Sequence, residues 1–153
     1  MPSKSAGIIV YRRRRRLEVL LVHPGGPFWR NKDAGAWSIP KGEYSDEEDA
    51  ETAARREFAE ELGLEVPRPL TELGQVRQRG GKLVTAFAAE LDLDVRSVRS
   101  NMFEMEWPPR SGKRQTFPEV DCAEWFTLEA AREKINAGQR PLLDRLAQLA
   151  GGE

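Results

Sequence analysis

Apolar residues in this chain fall in short runs whose period changes along the sequence. Ser5–Tyr11 and Leu17–His23 are rich in β-branched and aliphatic residues, which predicts two strands joined by the basic turn Arg12–Arg16. His23-Pro24-Gly25-Gly26-Pro27 is a loop by composition. Trp37–Pro40 reads as a short extended piece, because Pro40 disfavours helix at Ile39. From Asp46 or Asp49 to Leu62 the pattern turns helical, with Ala54, Phe58 and Leu62 on one stripe and Gly63 as the stop. Leu70–Gln78 and Lys82–Leu91 flank Arg79-Gly80-Gly81 and predict a hairpin. Ser100–Trp107 is a further strand candidate, Pro108–Pro118 a loop and Val120–Phe126 a final strand. Leu128–Ala137 and Arg140–Ala150 predict two helices separated by Gly138 and Pro141.

Strands and helices mix without regular βαβ alternation, so the expected class is α+β. No repeat or linker divides the 153 residues, which predicts one domain over residues 1–153. Apolar residues make up 39% and charged residues 32%, with no apolar run near the roughly 20 residues needed to span a bilayer. The arginine block follows its short apolar stretch instead of preceding it, the wrong order for a secretory signal. Cys122 is the single cysteine and has no internal disulfide partner; it is read as a small core residue and the chain as cytoplasmic. A net charge of −1, from 24 basic and 25 acidic residues, gives no reason to expect a nucleic-acid polymer as partner.

The charges are nonetheless uneven, and Glu43–Glu61 is dense in carboxylates. At about 100° per residue, Glu57, Glu60 and Glu61 share one arc of about 100°. Three carboxylates this close raise each other's pKa, and a hard divalent cation such as Mg²⁺ or Mn²⁺ relieves the repulsion. Taken alone, the same stretch also fits a solvated acidic face with Arg56 and Glu60 paired at i,i+4.

The wider pattern separates these readings. Gly42, five residues, Glu48, seven residues and then Arg56-Glu57-Phe58-x-Glu60-Glu61-x-Gly63-Leu64 resembles the complete signature of the Nudix hydrolases. That resemblance implies a loop–helix–loop holding divalent metal beside a mixed sheet flanked by helices. It implies that Glu57, Glu60 and Glu61 bind metal, that Arg56 orients a catalytic glutamate and that the Gly42 carbonyl approaches the metal. Glu48 matches a supporting glutamate, while Ser45-x-x-Glu48 also fits a capping box, with Asp49 as the rival N-cap. Glu119, six residues before Trp125, is placed much as an additional catalytic glutamate is in some Nudix enzymes; Glu104 and Glu106 compete for that role.

The reaction implied is hydrolysis of a diphosphate linkage in a nucleoside polyphosphate. Trp37-x-x-Pro40-Lys41-Gly42 is similar to branches acting on diadenosine polyphosphates and diphosphoinositol polyphosphates. A dinucleoside polyphosphate such as diadenosine tetraphosphate is therefore placed ahead of a nucleoside triphosphate, with diphosphoinositol polyphosphates next. Lys41 is expected to meet a phosphate, and Trp37 to be either a core residue or a wall of the substrate pocket. Arg12–Arg16 reads as a solvated turn or as an attractor of a highly phosphorylated substrate. His23 reads as structural, and Phe28 and Trp29 as packing residues or base-stacking ones. The rival of another class is a regulatory module that senses a nucleotide without turnover, against which the full set of box glutamates argues.

Overall fold

Strand β1 (Lys4–Arg13) is the apolar run Ala6–Val10 extended at both ends, and it organises the molecule. In the computed structural model, which describes residues 3–151, it pairs in parallel with β5 (Leu83–Glu90) from Lys4↔Leu83 to Tyr11↔Glu90. The ends of the expected domain, residues 1–2 and 152–153, lie outside the described residues. The second edge of β1 is shared. Its far half pairs antiparallel with β2 (Leu17–Pro24), and its first residues pair with β3 (Lys41–Glu43) in the register Ser5↔Glu43, Ala6↔Gly42, Gly7↔Lys41.

β1 and β2 are thus spread by the segment Ser38–Glu43. Ser38 exchanges backbone hydrogen bonds of 3.0 and 2.8 Å with Val22, and Ile8 N–H donates to the Pro40 carbonyl at 3.2 Å. The extended piece expected at Trp37–Pro40 is this wedge. β4 (Thr71–Arg77) borders β5 and β8 (Val120–Thr127) borders β2, which completes the order β4-β5-β1-β2-β8 with β3 beside β1.

Alternation along the strands sends side chains to opposite faces. Ile8, Val10, Leu20 and Val22 join Ala53, Ala54, Phe58 and Leu62 of α1 (Ala50–Leu62) on one side. Ile9, Val19 and Leu21 join residues of α2 (Leu128–Lys134) and α3 (Arg140–Leu149) on the other. The mixed sheet covered by helices on both faces is the α+β layering expected. No helix among the described residues is long and apolar enough to cross a membrane.

Two boundaries differ from expectation, and the choice left open between Asp46 and Asp49 is decided. The loop expected over Pro108–Pro118 ends in a strand, β7 (Arg114–Pro118), paired with β6 (Met102–Glu106) in a separate two-stranded sheet. The Pro and Gly residues mark only its turn. β1 absorbs Arg12 and Arg13, which shortens the basic turn. Helix α1 starts at Ala50, because the Asp49 carboxylate accepts from Thr52 N–H at 3.1 Å and so is the cap.

Candidate functional site

Helix α1 lies with its charged arc toward the end of the sheet where the Ser38–Glu43 wedge emerges. Gly63 adopts φ +69°, a left-handed conformation that suits glycine, and its N–H closes the helix on Ala59 O at 2.8 Å. Glu57, Glu60 and Glu61 therefore face Lys41, Gly42 and Glu43 across an open cleft of about 450 Å³, also lined by Ser5, Lys82, Asn101 and Glu119. A smaller lobe of about 170 Å³ shares Lys41, Glu61 and Glu119 and continues past Pro24, Ser38 and Val120.

Arg56 is the hub of the helix. Its Nε and Nη2 donate to both Glu48 oxygens at 3.0 and 2.9 Å, a two-pronged grip. Its Nη1 donates to Glu57 at 2.7 Å and to Glu60 at 3.3 Å. Glu48 thus anchors Arg56, and Arg56 anchors Glu57. The capping-box reading of Glu48 is corrected: its carboxylate goes to Arg56, while Ser45 makes a local turn with Glu47 and Glu48 backbone amides. The ion pairs hold the Glu48 carboxyl below its ordinary range, chiefly through Arg56, and push the Arg56 guanidinium up, chiefly through Glu48.

Gly42 sits against the Glu57 carboxylate so closely that a Cβ would overlap it, a requirement for glycine by close approach. Burial raises the Glu57 carboxyl, with Glu60 and Glu119 adding to the rise and Arg56 opposing it. Glu61 goes further: burial first, then the charges of Glu57 and Glu119, push it up to about 8, against a partial offset from Lys41. Lys41 is lowered by burial and by neighbouring Lys82. Carboxyl groups pushed toward their neutral form by burial and by one another either keep a proton or gain from a cation. This oxygen-only donor set fits a hard divalent ion. Among the described residues no three such side chains already converge on a point that would hold one, since Arg56 occupies Glu57 and Glu60.

The other candidates sort by position. Glu119 lines the cleft, its N–H donating to Asn101 O at 2.9 Å and its carbonyl accepting from Gly25 N–H at 3.0 Å. Glu104 and Glu106 do not reach it: Glu104 pairs with Arg114, and Glu106 accepts from Arg110 and Gly112 N–H at 3.1 Å each. Trp37 is a correction, for it does not wall the substrate pocket. It is 6% exposed in the core under α2 and α3, donates to Asp33 at 2.8 Å and packs edge-on to His23 and Phe126. The wedge that puts Lys41 in the cleft turns Trp37 inward. His23, 7% exposed, bridges Asp121 at 2.8 Å and Lys32 O at 2.6 Å.

Arg12 and Arg14 pair with Asp92, and Arg12 also with Glu18 and the face of Trp125. They lie at the far end of β1, about 25 Å of strand from Ser5. Cys122 is exposed, not a core residue, because strand β8 turns it outward at the sheet edge. Sequence reasoning missed Lys82 and Asn101. Both arrive through long-range pairing, of β5 with β1 and of the Asn101 backbone with Glu60 and Glu119, which no local pattern signals.

Comparison with known proteins agrees with this geometry. The family model of the NUDIX domain matches residues 1–146. A Caenorhabditis elegans Ap4A hydrolase, solved as a binary complex, is similar at TM-score 0.65 and 27% identity, over 96% of this chain and 98% of that one. The NUDIX domain of Shewanella oneidensis NrtR, solved with ADP ribose, shares the fold at TM-score 0.66 and 16% identity, over 98% and 89%. An RNA pyrophosphohydrolase of Caulobacter vibrioides is 43% identical over 56 residues, 33% of this chain and 33% of that protein's length. On the match across residues 1–146, the chain belongs to the NUDIX domain family.

Proposed function

We propose that this protein is a Mg²⁺- or Mn²⁺-dependent pyrophosphohydrolase of dinucleoside polyphosphates, diadenosine tetraphosphate being the type of substrate it prefers over a nucleoside triphosphate. The observation that carries the reaction class is the convergence of Glu57, Glu60, Glu61 and Glu119 with Lys41 and Lys82 on one cleft beside Gly42. The substrate preference draws on the likeness to the Ap4A hydrolase, which spans nearly the whole of both chains.

Glu57, Glu60, Glu61 and the Gly42 carbonyl are the residues that would hold the metal. Bound there, a divalent ion neutralises phosphate charge and makes water more acidic. Arg56, fixed by Glu48, keeps the Glu57 carboxylate over Gly42. Lys41 and Lys82 face the same space and bind phosphate oxygens. Glu119 accepts the proton of the attacking water at a carboxylate oxygen as the new P–O bond forms. The bond from that phosphorus to the bridging oxygen breaks, and the oxygen leaves with the bonding electrons on the other phosphate. A single exposed cysteine suits a reducing, cytoplasmic setting.

The test is product analysis with Mg²⁺ or with chelator, across diadenosine polyphosphates, nucleoside triphosphates, ADP-ribose and diphosphoinositol polyphosphates. Turnover of diadenosine tetraphosphate that chelation, Glu57→Gln and Glu61→Gln each abolish is the expected result. Turnover unaffected by those substitutions would refute the assignment.

A further inference from the structure

Glu119 is not part of helix α1, yet it shares the cleft with Glu57, Glu60 and Glu61. Its backbone sets where its carboxylate can reach, and that backbone is held from two flanks. Just beyond it the pairing of β2 with β8 is irregular: His23 faces Cys122 and Pro24 faces Val120, which leaves Asp121 as an extra residue. A bulge of this kind bends its strand and re-aims the residues beside it. His23 fixes the bulge through the Asp121 carboxylate at 2.8 Å. Gly25 N–H donates to Glu119 O at 3.0 Å, and a Cβ at Gly25 would come within 2.0 Å of Pro118 O. The end of β2 is thus in direct backbone contact with the residues on which Glu119 stands.

The other flank is residues 99–101, which lead into β6. Arg99 N–H donates to Leu62 O at 2.8 Å and Asn101 N–H to Glu60 O at 2.9 Å, so this segment satisfies two carbonyls at the end of α1. Asn101 O in turn accepts from Glu119 N–H at 2.9 Å. Ser100 closes the bridge. Its hydroxyl donates to Asn101 O at 2.7 Å and accepts from Val120 N–H at 2.9 Å. The one proton of the hydroxyl is therefore committed, and so is an acceptor lone pair. Alanine at this position would leave the N–H of buried Val120 without its partner.

We infer that Ser100 is a positioning residue for the general base: its hydroxyl holds Glu119 at a fixed separation from the carboxylates of α1. This rests on the reading of Glu119 as the base. The bridge runs from a main-chain carbonyl of α1, through Asn101 and Ser100, to the two peptide N–H groups that flank the Glu119 side chain. It meets Glu60 at that carbonyl and not at the carboxylate, so metal binding and placement of the base are separable. A proton acceptor displaced by about 1 Å costs on the order of 100-fold in rate, whereas substrate held by lysines and metal stays bound. Cutting the bridge therefore lowers kcat and spares KM.

A double-mutant cycle with diadenosine tetraphosphate and saturating Mg²⁺ tests this. Ser100→Ala is expected to lower kcat about 10–100-fold, with KM within about twofold of wild type. Ser100→Thr, which restores the hydroxyl, should recover most of the loss. Glu119→Gln should lower kcat at least as far, and adding Ser100→Ala to it should cost less than about a further twofold, because the group through which Ser100 acts is gone. Full additivity in the double variant, or a threonine variant no better than alanine, would overturn the proposal and leave Glu119 standing as base. A Glu119→Gln enzyme as active as wild type would sink the base assignment and the role of Ser100 with it. Amide hydrogen exchange needs no substrate and decides the matter if diadenosine tetraphosphate is not hydrolysed. In Ser100→Ala protein the Glu119 and Val120 amides should exchange at least about tenfold faster while those of α1 are unchanged. Unaltered exchange at Glu119 and Val120 would refute the bridge, and so would faster exchange throughout the chain, which marks a general loss of stability.

Discussion

Replacing Glu61 by Gln should stabilise the metal-free protein while it destroys the metal response. The folded state holds the Glu61 carboxyl up to about 8, against an ordinary 4.5. Between those values the folded chain keeps a proton that the unfolded chain has released. The unfolded state is therefore favoured progressively as pH rises from about 4.5 to about 8, and the effect is flat above that. At pH 7 the linkage amounts to about 3 kcal/mol, which water at the cleft mouth reduces to about 1–2 kcal/mol. Glutamine has no proton to lose and keeps the shape of the neutral acid. Urea denaturation in EDTA should show Glu61→Gln more stable than wild type by about 1–2 kcal/mol at pH 7, and equal to it near pH 4.5. The variant should also have a shallower decline with pH, part of which remains because Glu57 is raised as well. Adding Mg²⁺ should reverse the order, since a ligand of the folded state stabilises in proportion to its affinity and only wild type keeps the full ligand set. Equal stabilities in EDTA at pH 7, or an unchanged pH slope, would refute the claim that this carboxyl is held neutral by its surroundings.

Gly42→Ala should cost at least about tenfold in kcat and little stability, because the new Cβ displaces the Glu57 carboxylate while the backbone at residue 42 needs no unusual angle; steady-state kinetics beside a thermal melt check this. Glu48→Gln should lower activity about 10–100-fold without touching the cleft, by releasing Arg56 and through it Glu57; a Mg²⁺ titration of the variant should shift in the same direction. His23→Ala should cost about 2–3 kcal/mol in urea denaturation, for it leaves Lys32 O and Asp121 without their shared partner and opens space beside Trp37.

How much of this was legible beforehand follows from the range of each interaction. Helix α1 and its charged arc are local, so spacing alone put Glu57, Glu60 and Glu61 together, and Gly63 as the stop. Glu48 was ambiguous for a local reason: a capping box and an eight-residue reach to Arg56 leave the same letters in the sequence. Trp37 stayed open between core and pocket wall because sequence proximity to Lys41 says nothing of which way a bridging segment turns its side chains. The hairpin strand β7 was hidden behind Pro and Gly signals that describe its turn and not its arms. Lys82 and Asn101 were invisible, since the strand pairings that deliver them to the cleft join residues far apart in the chain.

The parallel pairing of β1 with β5 also bears on how the chain is made. Synthesis delivers the apolar run Ile8–Val10 early, yet its partner Phe87–Ala89 follows some eighty residues later. Until then β1 has β2, the short β3 and helix α1 to cover it, but one edge of backbone donors and acceptors stays open. Long-range closure of this kind folds slowly. The stretch between ribosomal exit of β2 and of β5 is therefore the interval in which a nascent chain is most exposed to wrong pairing, and in which a chaperone has something to hold.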